Sequence, residues 1–204
     1  MASGRFIHVT EIVGRRGVGQ DRAVARTTGD GVLIALADGA GGTGGGAEAA
    51  QAVVDRVAES AASGSNWSLV LEEIDQDRAR LYGWESTAIV IFVTPAGVEG
   101  ASVGDSGAWV IRGTEIEDLT ARQVRKPLVG AGCTPSAIRG GTLGGGTLLV
   151  ASDGLLKYAK PSDISRIAGG TDLPEVARAL IELVRLRSGQ LQDDVSIVLC
   201  REKR

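Results

Sequence analysis

Four carboxylates of this 204-residue chain stand where an apolar run meets a turn: Asp38 in Ala37-Asp38-Gly39, Asp105 in Gly104-Asp105-Ser106, Asp153 in Ser152-Asp153-Gly154, and Asp193 in Asp193-Asp194-Val195. One such junction is an ordinary turn, because Asp and Gly are both common there. Four in one chain of this size suggest a site of oxygen ligands for hard divalent cations, with carboxylates supplying charge and neighbouring carbonyls further oxygens. Gathered carboxylates repel one another, so burying them together implies cations between them. Such a site needs no histidine or cysteine nucleophile. His8 is the only histidine, and Cys133 and Cys200 lack metal-ligand spacing.

The elements that must position these residues follow from the pattern around them. Val32 to Ala37 is continuously apolar, as expected of a strand covered on both faces, and it ends on Asp38. Glycines then allow a sharp turn before a helix over Ala47 to Ala62, whose buried face is Ala50, Val53, Val54, Val57, Ala58 and Ala61. Gly39-Ala40-Gly41-Gly42-Thr43-Gly44 matches the dinucleotide-binding pattern, but two features count against that reading. Asp38 would face a pyrophosphate with like charge, and Asp55 and Glu59 lie on the polar face of a helix, not at the end of a second strand. No phosphate-binding G-x-x-x-x-G-K-[ST] loop occurs.

Phe6 to Val13 and Arg22 to Thr28 read as strands around a turn at Gly14 to Gly19. Pairing of the second of these with the Val32 strand would bring Asp21 beside Asp38. Gly64 is a plausible end signal for the first helix, and Asn66 caps a second one with Trp67, Val70, Leu71, Ile74 and Leu81 on its apolar face. Ser86 to Thr94 and Val98 to Val103 form a hairpin, and Ala108 to Arg112 continues the sheet. Thr120 to Gly146 reads as irregular. Thr147 to Ser152 is another apolar strand, Pro161 to Ala168 a short helix, and Asp172 with Glu175 a capping box for a helix through Arg187. Val195 to Cys200 is the last strand. The order reads as antiparallel sheet with inserted helices, not an alternating parallel array.

With 43% hydrophobic residues, 23% charged residues and a net charge of −3, the composition is that of one globular domain spanning 1–204. It has no basic block for nucleic acid, no apolar run of membrane-spanning length and no signal-peptide pattern. Two cysteines without metal or disulfide spacing fit a reducing compartment, and a cytoplasmic location is expected.

Ala37-Asp38-Gly39-Ala40-Gly41-Gly42, Ser86-Thr87-Ala88, Val103-Gly104-Asp105-Ser106, Ala151-Ser152-Asp153-Gly154-Leu155 and Asp193-Asp194-Val195-Ser196 follow one another in this order. Together they resemble the motifs of the metal-dependent type 2C Ser/Thr protein phosphatases in compact bacterial form. Arg16, five residues before Asp21, matches that family's amino-terminal motif. The resemblance implies an α+β fold in which two antiparallel β-sheets form a central sandwich flanked by helices on both sides (α-β-β-α). It implies two Mn²⁺ or Mg²⁺ ions and a third, weaker one. Asp38 would bridge the two ions, the Gly39 carbonyl would bind the second, and Asp153 and Asp193 the first. Asp21 would hold metal-bound waters, Asp105 with Asp153 would form the weaker third site, and Arg16 would clamp the substrate phosphate. The implied activity is hydrolysis of protein phosphoserine and phosphothreonine by a metal-bridging water or hydroxide. The alternative is a non-catalytic sensor or binding module of the same fold, against which the retained carboxylates count. Implied partners are phosphorylated proteins, including a cognate Ser/Thr kinase or its targets, with no nucleic acid or membrane partner and a monomeric chain.

Some positions depart from the family pattern. Ala40 stands where relatives often have methionine or histidine, Thr43 where bacterial relatives usually have histidine, and Gly107 where they have arginine. Only 48 positions separate Asp105 from Asp153, so the flap segment over 112–147 is reduced and broad activity on phosphopeptides is expected. Strand alternation puts Asp193 with Val195, Ile197 and Leu199, and Asp194 with Ser196, Val198 and Cys200, which does not separate the two carboxylates. The family's Asp-Asn-apolar-Ser/Thr ending makes Asp193 the ligand and sets Asp194 at the asparagine position, where Asp194→Asn is expected to be tolerated. Trp84 and Trp109 are read as packing residues.

Overall fold

Strands that are apolar on both faces need cover on both sides, and four layers provide it. The computed structural model describes residues 4–29, 31–40, 45–60, 65–77 and 81–203. Its strands in chain order are β1 (Phe6–Val13), β2 (Arg22–Thr28), β3 (Gly31–Ala37), β4 (Gly39–Ala40), β5 (Glu85–Ser86), β6 (Ala88–Thr94), β7 (Gly97–Val103), β8 (Gly107–Arg112), β9 (Glu115–Asp118), β10 (Ser136–Gly140), β11 (Thr147–Ala151) and β12 (Val195–Glu202). Its helices are α1 (Gly46–Glu59), α2 (Trp67–Gln76), α3 (Asp153–Leu156), α4 (Pro161–Ala168) and α5 (Leu173–Leu183). One five-stranded sheet has the order β1-β12-β11-β8-β9 and the other β10-β7-β6-β3-β2, while β4 and β5 form a small ribbon. All of these pairings are antiparallel.

Side-chain alternation divides the core in three. Val32, Ile34 and Leu36 of β3 meet Val110, Leu148, Val150 and Val198 of the opposite sheet in the central layer. Leu33, Ala35 and Ala37 face outward onto Val53 and Val57 of α1 and Trp67 and Leu71 of α2. On the other outer face Leu149, Ile197 and Leu199 pack against Ile164, Val176 and Leu180 of α4 and α5. The expected α-β-β-α sandwich is therefore observed.

Register fixes where the carboxylates fall. Arg22 pairs with Ala37, Ala88 with Val103, Ala151 with both Gly107 and Ile197, and Val13 with Val195. Asp21, Asp38, Asp105, Asp153 and Asp193 thus all lie just beyond the same end of the sandwich. At the other end the first and last strands run side by side, Phe6 opposite Glu202.

The structure corrects several local expectations. The stretch read as irregular contains β10, which forms the edge of the second sheet, and β9 precedes it as a hairpin partner of β8. The strand read from Ser86 is broken at Thr87, whose backbone is diverted to Asp38. The last helix stops at Leu183, not Arg187, because the chain turns back: Leu186 N–H donates to the Gln190 carbonyl at 2.9 Å, and Gly189 takes the positive φ (83°) that the turn needs. Asn66 and Asp172 do cap α2 and α5. Leu81 is buried but lies beyond α2. Gly41 to Gly44, Ala61, Ala62 and Gly64 lie outside the described residues.

Ile34 is fully buried between the sheets, whereas Ile7 on the edge strand is 40% exposed. Ile34→Ala should cost about 2–5 kcal/mol of unfolding free energy in urea titrations, and Ile7→Ala less than about 1 kcal/mol. Equal losses would show that the inter-sheet layer is not the core.

Candidate metal centre

Asp21 and Asp38 are cross-strand neighbours, one residue outside the paired ends of β2 and β3. Their carboxyls lie against each other, and both are largely removed from water. Asp21 is only 1% exposed, and neither of its oxygens has a hydrogen-bond donor. Two facing acceptors can share a hydrogen bond only when one of them carries a proton. Burial is the main cause that pushes the Asp38 carboxyl up to about 9, and the charges of Asp21, Asp153 and Asp105 add to it. Burial also raises Asp21, with Asp194 adding and the Ser152 and Ser196 hydroxyls opposing. Asp153 is raised by burial, then by Asp105 and Asp193, while Lys157 at 3.9 Å works against the rise.

The backbone of Asp38 is held on both sides by the Ser86-Thr87 pair. Its N–H donates to Thr87 Oγ1 at 2.9 Å, and its carbonyl accepts from Thr87 N–H at 2.9 Å and Ser86 Oγ at 3.0 Å. Thr87 Oγ1 also lies 3.1 Å from Ser106 Oγ, so the Thr87 hydroxyl connects Asp38 to the Asp105 turn. Gly39 has no room for a side chain, since a Cβ there would overlap the Gly46 carbonyl at the start of α1. Ser152 Oγ accepts the Ser196 N–H at 3.0 Å, tying the Asp153 turn to β12. Asp193 Oδ1 accepts the Asp194 N–H at 3.0 Å.

The five aspartates are thus brought to one end of the fold, and they act on each other electrostatically. Among the described residues, no three His, Cys, Asp or Glu side chains close into a ligand cage by themselves. The donor set nevertheless fits hard cations: it is all oxygen, and it includes a buried carboxylate whose two oxygens have no donor to offset their charge. Arg16 lies on the exposed β1–β2 loop, and among the described residues its guanidinium makes no hydrogen bond or ion pair. His8 sits five residues down β1 from the carboxylate end, about 17 Å away at strand rise, and faces Thr27. Trp84 packs over Gly45 and against Tyr82, with ring centroids 5.4 Å apart, and Trp109 packs in the outer core.

Sequence reasoning missed the roles of Thr87, Ser86, Ser106 and Asp194. The Ser-Thr pair is visible as a motif, but its contact with a backbone 48 or 49 positions away has no local signature.

No protein-family model and no curated protein matches the chain. In structure it is similar to the Mycobacterium tuberculosis serine/threonine phosphatase PstP/Ppp, at 21% identity over 98% of this chain and 99% of that one, with a TM-score of 0.80. It is also similar to PppA, a key regulatory component of T6SS in Pseudomonas aeruginosa, at 22% identity over 98% and 99% of the two chains and a TM-score of 0.78. A third similar structure is the catalytic domain of the serine threonine protein phosphatase PstP in complex with two manganese ions, at 22% identity over 96% and 97% and a TM-score of 0.79. The chain therefore has the fold of these bacterial phosphatases.

The folded-state value of Asp38, about 9, lies above its ordinary 3.8, so the folded chain binds a proton that the unfolded chain releases. The stability held by that proton is fully present below pH 3.8 and is lost as pH rises through about 9. Metal-stripped protein should melt at progressively lower temperature from about pH 6 to about pH 9. Mn²⁺ or Mg²⁺ should raise Tm by an increment that grows over the same range. A metal-free Tm that rises with pH, or that Mn²⁺ leaves unmoved, would contradict the buried-carboxylate account.

Proposed function

We propose that the chain is a metal-dependent phosphoprotein phosphatase that hydrolyses phosphoserine and phosphothreonine. The observation that carries this reading is the buried, facing Asp21–Asp38 carboxyl pair at the end of a phosphatase-type sandwich where Asp105, Asp153 and Asp193 also emerge. Asp38, the Gly39 carbonyl, Asp153 and Asp193 would hold two Mn²⁺ or Mg²⁺ ions, with Asp105 and Asp153 sharing a weaker third. When bound, the ions supply a water of lowered pKa and neutralise charge on the phosphoryl oxygens.

The chain's own residues do the rest. Asp21 keeps two buried acceptor oxygens beside Asp38, where they would orient the protons of a water. The Ser86-Thr87 clamp keeps the Asp38 backbone from recoiling from its neighbours' charge. Arg16, exposed and unpaired among the described residues, offers the planar fork that suits a phosphate dianion. The leaving serine or threonine alkoxide takes its proton from water, because the only histidine lies at the far end of β1.

The reading extends to one catalytic domain over 1–204 with a reduced flap, acting as a monomer on cytoplasmic phosphoproteins, among them a cognate Ser/Thr kinase or its targets. Two buried, unpaired cysteines support a reducing compartment. Among the described residues no helix is long and apolar enough to cross a membrane.

Purified protein should hydrolyse an aryl phosphate and phosphoserine peptides with Mn²⁺ or Mg²⁺ and lose this activity in chelator. Asp38→Asn should lower kcat by about two to four orders of magnitude. Arg16→Ala should lower kcat/KM roughly tenfold, mainly through KM, and Arg15→Ala should change little. Full activity in chelator would sink the metal reading. Folded, Mn²⁺-binding protein with no turnover of any phosphoester would favour the binding module, and equal effects at Arg15 and Arg16 would misplace the clamp.

A further inference from the structure

Asp194 is the carboxylate that the proposed chemistry does not use, and it is among the most thoroughly engaged polar side chains at this end of the molecule. Its Oδ1 accepts the Arg15 N–H at 2.7 Å, and its Oδ2 accepts the Gln20 N–H at 2.6 Å. One carboxylate therefore closes both ends of the loop that carries Arg16, across sequence separations of 179 and 174 residues. Two glycines make room for it. A Cβ at Gly19 would overlap the Asp194 carboxylate, and one at Gly154 would overlap the Asp194 carbonyl. The loop is tight in itself, since a Cβ at Gly14 would overlap the Gly17 carbonyl, and Gly17 has a φ of 77°. From the other side the Arg22 guanidinium grips the Gly19 carbonyl at 2.9 Å and Gln51 of α1 at 3.0 Å.

We infer that Asp194 is a positioning residue that sets Arg16 relative to the metal-ligating strand, so that the adjacent pair Asp193-Asp194 places both halves of the site. Asp193 would hold the ion, and Asp194 holds the loop that presents the phosphate-binding arginine. This inference rests on the phosphatase reading for the role of Arg16, though not for the loop contacts themselves. It reverses the expectation that Asp194→Asn is tolerated. Each oxygen receives a separate backbone N–H, and both hydrogen bonds are charge-assisted. An asparagine has one acceptor oxygen, and its amide N–H₂ would meet the second N–H donor to donor. Lengthening to glutamate would drive a methylene into the space beside Gly19.

The test compares Asp194→Asn, Asp193→Asn and Gly19→Ala in the full chain. Gly19→Ala keeps the Asp194 charge but displaces the carboxylate from its seat. The readouts are amide hydrogen exchange over residues 14–20, Mn²⁺ affinity by calorimetry, and the KM and kcat for a phosphoserine peptide. Asp194→Asn and Gly19→Ala should each speed exchange at Arg15 and Gln20 and raise KM about tenfold, with Mn²⁺ affinity within about twofold of the parent. In an Arg16→Ala background, Asp194→Asn should raise KM no further, the mark of residues that act through one another. Asp193→Asn should do the opposite, losing Mn²⁺ affinity while the loop amides stay protected. The inference is overturned if Asp194→Asn leaves loop exchange unchanged, or if it weakens Mn²⁺ as Asp193→Asn does, which would make it a ligand. Additive KM effects of Asp194→Asn and Arg16→Ala would also overturn it. Absence of turnover in the parent protein would count against the phosphatase reading alone, since loop exchange and Mn²⁺ affinity are read without substrate.

Discussion

Repulsion between buried carboxylates is the constraint that this structure is arranged around. Asp21 and Asp38 face each other across the ends of two paired strands, with Asp153 and Asp105 adding to the same field. Water would normally separate such charges or hydrate them, and burial forbids both. The cost falls on one end of the sandwich, while three apolar layers hold the rest together without help from it. A scaffold stabilised elsewhere can keep an unfavourable site in place until cations neutralise it.

What resists the repulsion is mostly uncharged. Ser86 and Thr87 hold the Asp38 backbone, the Thr87 hydroxyl passes the restraint on to Ser106, and Ser152 holds the start of β12. These contacts act on main chain, which cannot change rotamer, so the carboxylates inherit their placement from the ends of rigid strands. Asp194 extends the same logic to a loop that lacks any strand of its own. Its contacts make the loop an appendage of β12, although the loop directly joins β1 to β2.

Much of this was legible in the sequence where local signals are strong. The continuous run Val32 to Ala37 indicated a strand covered on both faces, and Phe6–Val13, Arg22–Thr28 and Pro161–Ala168 carry the periodicity and breakers that define their limits. The gathering of Asp21, Asp38, Asp105, Asp153 and Asp193 followed from repeated strand-end carboxylates together with a family resemblance. What escaped depends on partners far along the chain. β9 and β10 are edge strands of four and five residues whose existence is decided by β8 and β7, not by their own residues. The end of α5 was overshot because Val184 prolongs the apolar pattern into a turn set by Gly189. Asp194 looked like a passive neighbour of Asp193 because nothing adjacent reveals an amide 174 positions away.

The pairing of β1 with β12 has a bearing on how the protein is made. Phe6 opposite Glu202 and Val13 opposite Val195 join segments far apart in the sequence, and Asp193 and Asp194 immediately precede the later strand. A ribosome releases that strand after every other strand and helix described above, when the second sheet, complete by β10, can already have assembled with α1 and α2. Until then β11 is paired on one side only, the Arg16 loop lacks its anchor, and the aspartate cluster lacks a member. The aspartate-lined end therefore comes into being in one late, long-range step, a topology that favours slow folding.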